Sequence, residues 1–400
     1  MIQVAVMGYG TVGSGVAEVI ETNQKEVNKR AGEEIFVKYI LDLRDFPGDP
    51  NEDKIVHDVE IILNDPEIKI ICETMGGVKP AYDFTKRALL AGKSVCTSNK
   101  ELVANHGPEL IRIAHEHDCN YLFEASVGGG IPIIRPLNSS LTAEKIDAIT
   151  GILNGTTNYI LTKMEREGAD FASVLQEAQD KGYAERNPEA DVEGYDACRK
   201  IAILSSLVCG KNVRYEDIYT EGITAITAED FVYAKEMNCS IKLLAQSKEK
   251  NGRIYAMVSP FLISKDHPLA MVNGVFNAIF VHGNMLGDSM YYGRGAGKKA
   301  TASAVVADVI DCARHIGKKI TCFWDAENVE LAGIESAVRR FFVRVSAEKE
   351  KEAIHTFERV RVLESDVPGE FAFVTEEMTE KEFNEKAQQV GIISRIRVEE

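Results

Sequence analysis

Asp196 and Lys200 stand four residues apart in a stretch, 196–209, whose apolar spacing predicts a helix. Their side chains therefore share one face. Turned into a cleft, the carboxylate can orient a bound molecule, and a lysine removed from water gives up its proton more readily than one in solvent. The commoner meaning of Asp-x-x-x-Lys is a surface ion pair, and the spacing alone does not separate the two. Just upstream, Lys181-Gly182-Tyr183-Ala184-Glu185 opens a loop continuing through Pro188, Asp191 and Gly194. Glu185 can capture an ammonium there; alone it is a solvated carboxylate.

Two further segments carry suitable groups. Thr97-Ser98-Asn99-Lys100 follows a short apolar run. Lys100 at a strand end can polarise a carbonyl or relay a proton, although most helix-start lysines stay in solvent. In Glu124-Ala125-Ser126-Val127-Gly128-Gly129-Gly130-Ile131-Pro132, three consecutive glycines expose carbonyl oxygens that suit a cation together with Glu124. An interdomain hinge explains the same composition equally well.

Gly8-Tyr9-Gly10-Thr11-Val12-Gly13 is a GxGxxG turn. The pattern is weak by itself, but an apolar strand enters it and a helical pattern, 12–28, leaves it. In that setting the glycines let the backbone approach a pyrophosphate, so Gly8, Gly10, Thr11, Val12 and Gly13 form a dinucleotide-binding turn. The cofactor-selecting position reads Asp42-Leu43-Arg44-Asp45. Asp42 suits the ribose hydroxyl of NAD, whereas Arg44 suits the 2′-phosphate of NADP, and the two signals conflict. The reading leans slightly to NADP or dual use. Hydride transfer at an alcohol further needs a proton acceptor and a group that fixes the substrate, which the two lysines and Asp196 can supply.

These residues must be positioned by alternating elements. Short buried runs at 2–7, 36–43, 68–73, 94–97 and 121–124 alternate with helical patterns such as 81–91 and 109–117, which predicts a parallel, doubly wound α/β sheet. After Ile134, strands are expected at 145–152, 253–261, 274–282 and 285–292, and helices at 158–167, 171–181, 196–209 and 228–234, giving an α+β second domain. The Ala/Val-rich run 301–315 is expected to pack back on the first domain. The order of patterns over 340–398 is βαββαβ, the ferredoxin-like arrangement. Expected boundaries are 1–134 for the dinucleotide-binding domain, with 298–325 returning to it, 135–297 for substrate binding, catalysis and dimerisation, and 338–400 for the last domain.

A chain of 400 residues exceeds one ordinary core. Its formal net charge of −16 argues against nucleic acid, and no apolar run approaches a membrane span. The eight scattered cysteines form no CxxC pair, as expected for reduced thiols in a cytoplasmic protein. Met1 to Gly8 already reads as a strand, so no leader is expected.

Taken together, the segments resemble homoserine dehydrogenases. The likeness spans roughly residues 1 to 320. It rests on the glycine turn, Ser98-Asn99-Lys100, the 124–132 segment, Gly151-Ile152-Leu153-Asn154-Gly155-Thr156-Thr157-Asn158, Gly182–Glu185, Asp191 to Lys200, and Tyr292-Gly293-Arg294-Gly295-Ala296-Gly297. It implies an NAD(P)-dependent enzyme interconverting L-homoserine and aspartate 4-semialdehyde in amino-acid biosynthesis. By position it makes Lys200 the general acid/base and Lys100 a second catalytic lysine beside the nicotinamide. It assigns Asp196 to orienting substrate, Glu185 to its ammonium, and Gly155, Thr156 and Tyr183 to substrate contact. Ser98 and the Gly295-Ala296-Gly297 return join the cofactor set. Glu124 with the carbonyls of Val127, Gly129 and Ile131 matches a site for a monovalent cation, Na+ or K+. A homodimer or homotetramer is expected.

The chain departs from the family at Ala300, where proline is frequent, and in its ACT-like tail. Ser346-Ala347-Glu348-Lys349-Glu350 stands where such tails carry Asp-x-Pro-Gly, and Asp366-Val367-Pro368-Gly369 falls later. Assembly is thus as ready a role for the tail as amino-acid feedback. Two rivals remain: an aldehyde dehydrogenase acting through Cys96, and a non-enzymatic nucleotide and amino-acid sensor.

Overall fold

The computed structural model describes residues 1–364 and 367–399; Asp366, of the displaced Asp-x-Pro-Gly segment, lies outside them. Two compact units are present. The first comprises 1–144, 202–214 and 293–329, and the second 145–201, 215–292 and 330–400.

The first unit is built on six parallel strands: β1 (Ile2–Met7), β2 (Ile35–Leu41), β3 (Ile55–Val56), β4 (Ile68–Glu73), β5 (Ser94–Thr97) and β6 (Tyr121–Leu122), in the order β3-β2-β1-β4-β5-β6. β1 and β4 are almost wholly apolar because helices cover both faces of a parallel sheet. The strand order reverses at β1, so the carboxyl ends of β1 and β4 form the crevice where such sheets bind ligands. Helix Lys298–Arg314 packs on helix Thr11–Thr22, where a Cβ on Gly15 would come within 2.9 Å of the Ala302 methyl.

Two helices differ from expectation. The pattern read as one helix over 12–28 is two, Thr11–Thr22 and Gln24–Ala31, divided at Asn23. The bend returns Val27 and Ala31 of an otherwise polar segment to the core. The helix expected at 109–117 begins at Lys100 and runs to Glu116 through Gly107 and Pro108. Glycine and proline are ordinarily helix breakers. Gly107 instead gives room to Trp324, whose ring would lie 2.9 Å from a Cβ there.

The second unit holds a mixed sheet: β7 (Ile146–Ile152), β8 (Tyr219–Thr220), β9 (Cys239–Lys250), β10 (Arg253–Ser264), β11 (Phe276–Gly283), β12 (Gly287–Arg294), β13 (Val338–Ser346), β14 (Val360–Leu363), β15 (Glu370–Thr375), β16 (Met378–Thr379) and β17 (Ser394–Val398). The main path runs β12-β11-β7-β9-β10-β17-β13-β15-β14. Sequence patterning missed β9, which pairs with β10 along its whole length. Both faces of β9 are covered, so no alternation marks it, and its buried Lys242 breaks the apolar run. Lys242 Nζ donates to the Val272 carbonyl at 2.7 Å and to Asn273 Oδ1 at 3.1 Å, and burial pulls its pKa down to about 8.

Residues 338–398 form βαββαβ with the antiparallel spatial order β17-β13-β15-β14. Phe341, Phe357, Phe373 and Phe383 centre its core. β17 also pairs in parallel with β10, at Phe261–Arg397 and Leu262–Val398, which makes the sheet continuous.

Candidate active site

In the second unit, Asn154 ends an extended segment after β7 and caps helix Gly155–Glu167 by accepting from Thr157 N at 2.8 Å. Its amide Nδ2 is thereby turned outward and donates to Asp191 Oδ1 at 2.7 Å and Asp196 Oδ2 at 2.9 Å. Asp196 and Lys200 occupy successive turns of helix Tyr195–Cys209. Lys200 Nζ donates to Asp196 Oδ2 at 2.7 Å and to the Leu153 carbonyl at 2.8 Å. At 9% and 4% exposure this is a buried pair, not the surface pair that its spacing more often signals. Its two acceptors hold Lys200 Nζ at fixed geometry.

Thr156 Oγ1 donates to the Tyr183 carbonyl at 2.7 Å, which ties the substrate loop to the same helix start. The Tyr183 ring is exposed and meets Tyr159 edge-on. Glu185 is exposed, and its backbone carbonyl accepts from Gln179. Gly155 is required by close approach: a Cβ would lie 3.0 Å from the Val275 carbonyl.

In the first unit, Gly8 has φ +92°, and a Cβ on Gly13 would fall 1.8 Å from the Gly8 carbonyl. The turn after β1 therefore admits only glycine there. Tyr9 N donates to Asp42 Oδ2 at 2.8 Å, and Arg44 binds both Asp42 oxygens, Nε at 2.9 Å and Nη2 at 3.0 Å. The guanidinium beside Asp42 holds its carboxyl well below the usual range. Both residues of the conflicting signal thus form one exposed-edge unit.

Lys100 is half-buried at the first position of its helix, beside half-buried Ser98. Sequence reasoning missed what supports it. Glu73, at the end of β4, is fully buried and accepts from Thr97 Oγ1 at 2.6 Å and Met75 N at 2.8 Å. Thr97 Oγ1 accepts from Asn99 N at 2.9 Å, and Asn99 caps the Lys100 helix through Leu102 N. Burial pushes the Glu73 carboxyl up to about 7, against the lowering effect of its donors. A glutamate closing an apolar run was the available signal.

Glu124 is buried and accepts three backbone N–H groups, from Ile133 and Ile134 on Oε1 and Arg135 on Oε2, at 2.6, 2.9 and 2.7 Å. Its carboxylate thus anchors the segment that follows the glycines. The carbonyls of Val127, Gly129 and Ile131 accept no hydrogen bond from the described residues. Asp308 and Arg135, also missed, complete the cluster: Glu124 N and Arg135 Nη2 donate to Asp308 at 2.9 and 2.7 Å. Burial, with the nearby Glu124 charge, pushes the Asp308 carboxyl well up. The triple-glycine turn touches the Gly295-Ala296-Gly297 segment, since Gly130 N donates to the Arg294 carbonyl and a Cβ on Gly129 would lie 2.5 Å from the Gly295 carbonyl. Gly130 and Ala300 are also in close approach.

Among the described residues, no cluster of three His, Cys, Asp or Glu side chains is placed to hold a metal, and no helix is long and apolar enough to cross a membrane. All eight cysteines are free. Cys96 is fully buried with Sγ 3.6 Å from Cys312 Sγ, and burial pushes its thiol well up, which removes the thiolate that the aldehyde dehydrogenase rival needs.

Comparison with known proteins accords with this geometry. The homoserine dehydrogenase family model matches residues 132–310, and the model of the NAD binding domain of homoserine dehydrogenase matches 8–124. The homoserine dehydrogenase of Synechocystis sp. is 43% identical over 374 residues, 92% of this chain and 84% of that protein. That of Bacillus subtilis is 39% identical over 324 residues, 80% and 75% of the two chains. The crystal structure of a homoserine dehydrogenase from Thiobacillus denitrificans superposes with a TM-score of 0.91 at 34% identity, covering 100% of this chain and 98% of that one. The chain belongs to the homoserine dehydrogenase family and is an NAD(P)-binding oxidoreductase of that activity.

Proposed function

We propose that Lys200 is the proton-transfer group in the interconversion of L-homoserine and aspartate 4-semialdehyde, with Lys100 as second catalytic lysine. The buried triangle of Lys200, Asp196 and Asn154 carries this reading. A bound nicotinamide supplies or accepts the hydride. In the reducing direction the Lys200 ammonium donates its proton to the developing alkoxide; in oxidation the neutral amine takes the hydroxyl proton. Asp196 and the Leu153 carbonyl fix the direction of Nζ, and Asn154 fixes Asp196. Glu185 receives the substrate ammonium, and Gly155, Thr156 and Tyr183 border the substrate.

Gly8, Gly10, Thr11, Val12 and Gly13 hold the pyrophosphate, with Ser98 and Gly295-Ala296-Gly297 completing the cofactor set. NADP is favoured over NAD. Asp42 is already neutralised by Arg44, so it repels a 2′-phosphate less, and the guanidinium remains at the exposed edge to pair with it. A related hyperthermophilic archaeal homoserine dehydrogenase mutant, 31% identical with a TM-score of 0.67, is known in complex with NADPH. The three unpaired carbonyls of Val127, Gly129 and Ile131, with the Glu124 charge behind them, suit Na+ or K+. Such an ion orders the glycine turn and takes no part in proton or hydride transfer.

The parts are read as a dinucleotide-binding domain, 1–134 with 298–325; a substrate and dimerisation domain, 135–297; and an ACT-like domain, 338–400, that serves assembly. The enzyme is cytoplasmic, in keeping with its free cysteines, and acts as a homodimer or homotetramer. The test is absorbance at 340 nm with L-homoserine and NAD or NADP in parallel, in potassium or sodium. Reduction with homoserine, but not serine or threonine, is expected. Silence of folded protein with both cofactors would instead support the sensor.

A further inference from the structure

A cavity of about 390 Å³ opens in the second unit between the tip of the β9–β10 hairpin and the start of β13, and five cations line it: Lys248, Lys250, Arg253, Arg339 and Arg340. Glu377 and Glu399 are its carboxylates. This local positive excess stands in a chain of net charge −16, and the positions of the cations argue for use.

Arg253 and Lys250 are directly opposite across the hairpin, a like-charge pair that a sheet places there at a cost. Asn251 and Gly252 join them with φ of +54° and +73°, a tight two-residue turn that holds both cations in place. Neither cation forms an ion pair with the described residues. Arg339 is more telling. Its side chain is 13% exposed, its Nε has no hydrogen-bond partner, and its nearest carboxylates, Glu380 and Glu399, stand 3.9 Å away. Both are otherwise engaged: Arg397 grips Glu380 with two bonds, at 2.6 and 3.0 Å, and Lys248 binds Glu399. A buried Nε left without a hydrogen bond is costly, and the planar fork that carries it matches oxyanions. Tyr255 and Ser336 add two hydroxyls, 3.3 Å apart, to the wall.

We infer that this cavity is a binding site for a small dianion, a phosphate ester or a dicarboxylate, separate from the dinucleotide and substrate residues. The ligand joins the hairpin to the βαββαβ segment by neutralising Arg253, Lys250 and Arg339 together.

Thermal melts and calorimetric titrations with inorganic phosphate and with succinate, against chloride at matched ionic strength, test it. Saturating NADPH is kept present so that phosphate does not report on the glycine turn. At least one anion should raise the melting temperature saturably. Its affinity should fall at least tenfold in the exposed-site double variant Lys250→Glu/Arg253→Glu, and likewise in Arg339→Ala if that variant folds. A response to phosphate alone assigns a phosphate ester, and a response to succinate alone a dicarboxylate. Absence of a saturable response to either, or equal affinity in the double variant, overturns the site.

Discussion

Replacing Lys200 by methionine keeps the aliphatic stem and deletes the ammonium, and two separable quantities should move. Nζ lies 2.7 Å from Asp196 Oδ2 and 2.8 Å from the Leu153 carbonyl, within a pair exposed by 9% and 4%. Breaking a buried pair from one side leaves an uncompensated charge, at ~3–5 kcal/mol of stability. Loss of a positioned acid/base group costs ~10²–10⁴-fold in rate, which is again ~3–5 kcal/mol at the transition state. The double variant Lys200→Met/Asp196→Asn distinguishes the two, because removing both charges restores most of the stability and none of the proton transfer. Steady-state absorbance at 340 nm gives kcat and KM, calorimetric melting gives stability, and NADPH fluorescence gives cofactor affinity. That affinity should stay near wild type, since the glycine turn belongs to the other unit. Near-normal kcat in Lys200→Met would refute the proton-transfer role. A double variant as unstable as the two single losses combined would refute the buried-pair reasoning.

Three other perturbations follow from the same geometry. Gly13→Ala puts a Cβ 1.8 Å from the Gly8 carbonyl, so the turn must open; losing one backbone contact to pyrophosphate, roughly 1.5 kcal/mol, should weaken NADPH binding about tenfold, and unchanged affinity by fluorescence titration would contradict the turn's assignment. Arg44→Ala should lower the ratio of kcat/KM for NADP to that for NAD by about 10- to 100-fold, the worth of a charge-assisted bond; an unaltered ratio would show that Arg44 does not read the 2′-phosphate. Glu73 is raised by burial from 4.5 to about 7, so between those values the folded state holds a proton that the unfolded state has lost, and stability falls as pH rises. Wild type should thus lose roughly 3 kcal/mol more than Glu73→Gln between pH 4.5 and 8, from 1.36 kcal/mol per unit; parallel pH–stability curves for the two proteins would contradict it.

What could be read from the sequence was what is local. The run Ile2–Met7 into Gly8-Tyr9-Gly10 states strand, turn and ligand within a dozen residues, because glycine's backbone freedom and apolar continuity are properties of neighbours. The four-residue spacing of Asp196 and Lys200 fixes a shared helix face in the same way. The βαββαβ order at the end of the chain was legible for the same reason: β14, β15 and helix Glu380–Val390 each carry their own period.

Burial of polar groups was not legible, because it depends on partners distant in sequence. Whether Lys200 is a solvated ion or a buried, fixed one depends on the Leu153 carbonyl, 47 residues away, and Glu124 depends on Asp308, 184 residues away, to hold its backbone. Periodicity counts a lysine as a surface mark, so it passed over β9 at Lys242, and although it placed Glu73 in the buried run 68–73 it gave no sign of the donors that hold the carboxyl there. Both are buried because the fold supplies acceptors or donors that their neighbours in sequence do not. The same physics separates Arg397 from Arg339. They are arginines on adjacent strands, Arg397 buried and Arg339 half-buried, yet Arg397 meets Glu380 and Ser259 at hydrogen-bond distance, while the Nε of Arg339 has no hydrogen-bond partner. A pattern-based reading sees two equivalent residues in alternating strands. Only the accounting of hydrogen bonds separates them: the Arg397 fork is filled from within the fold, and the Arg339 Nε is not.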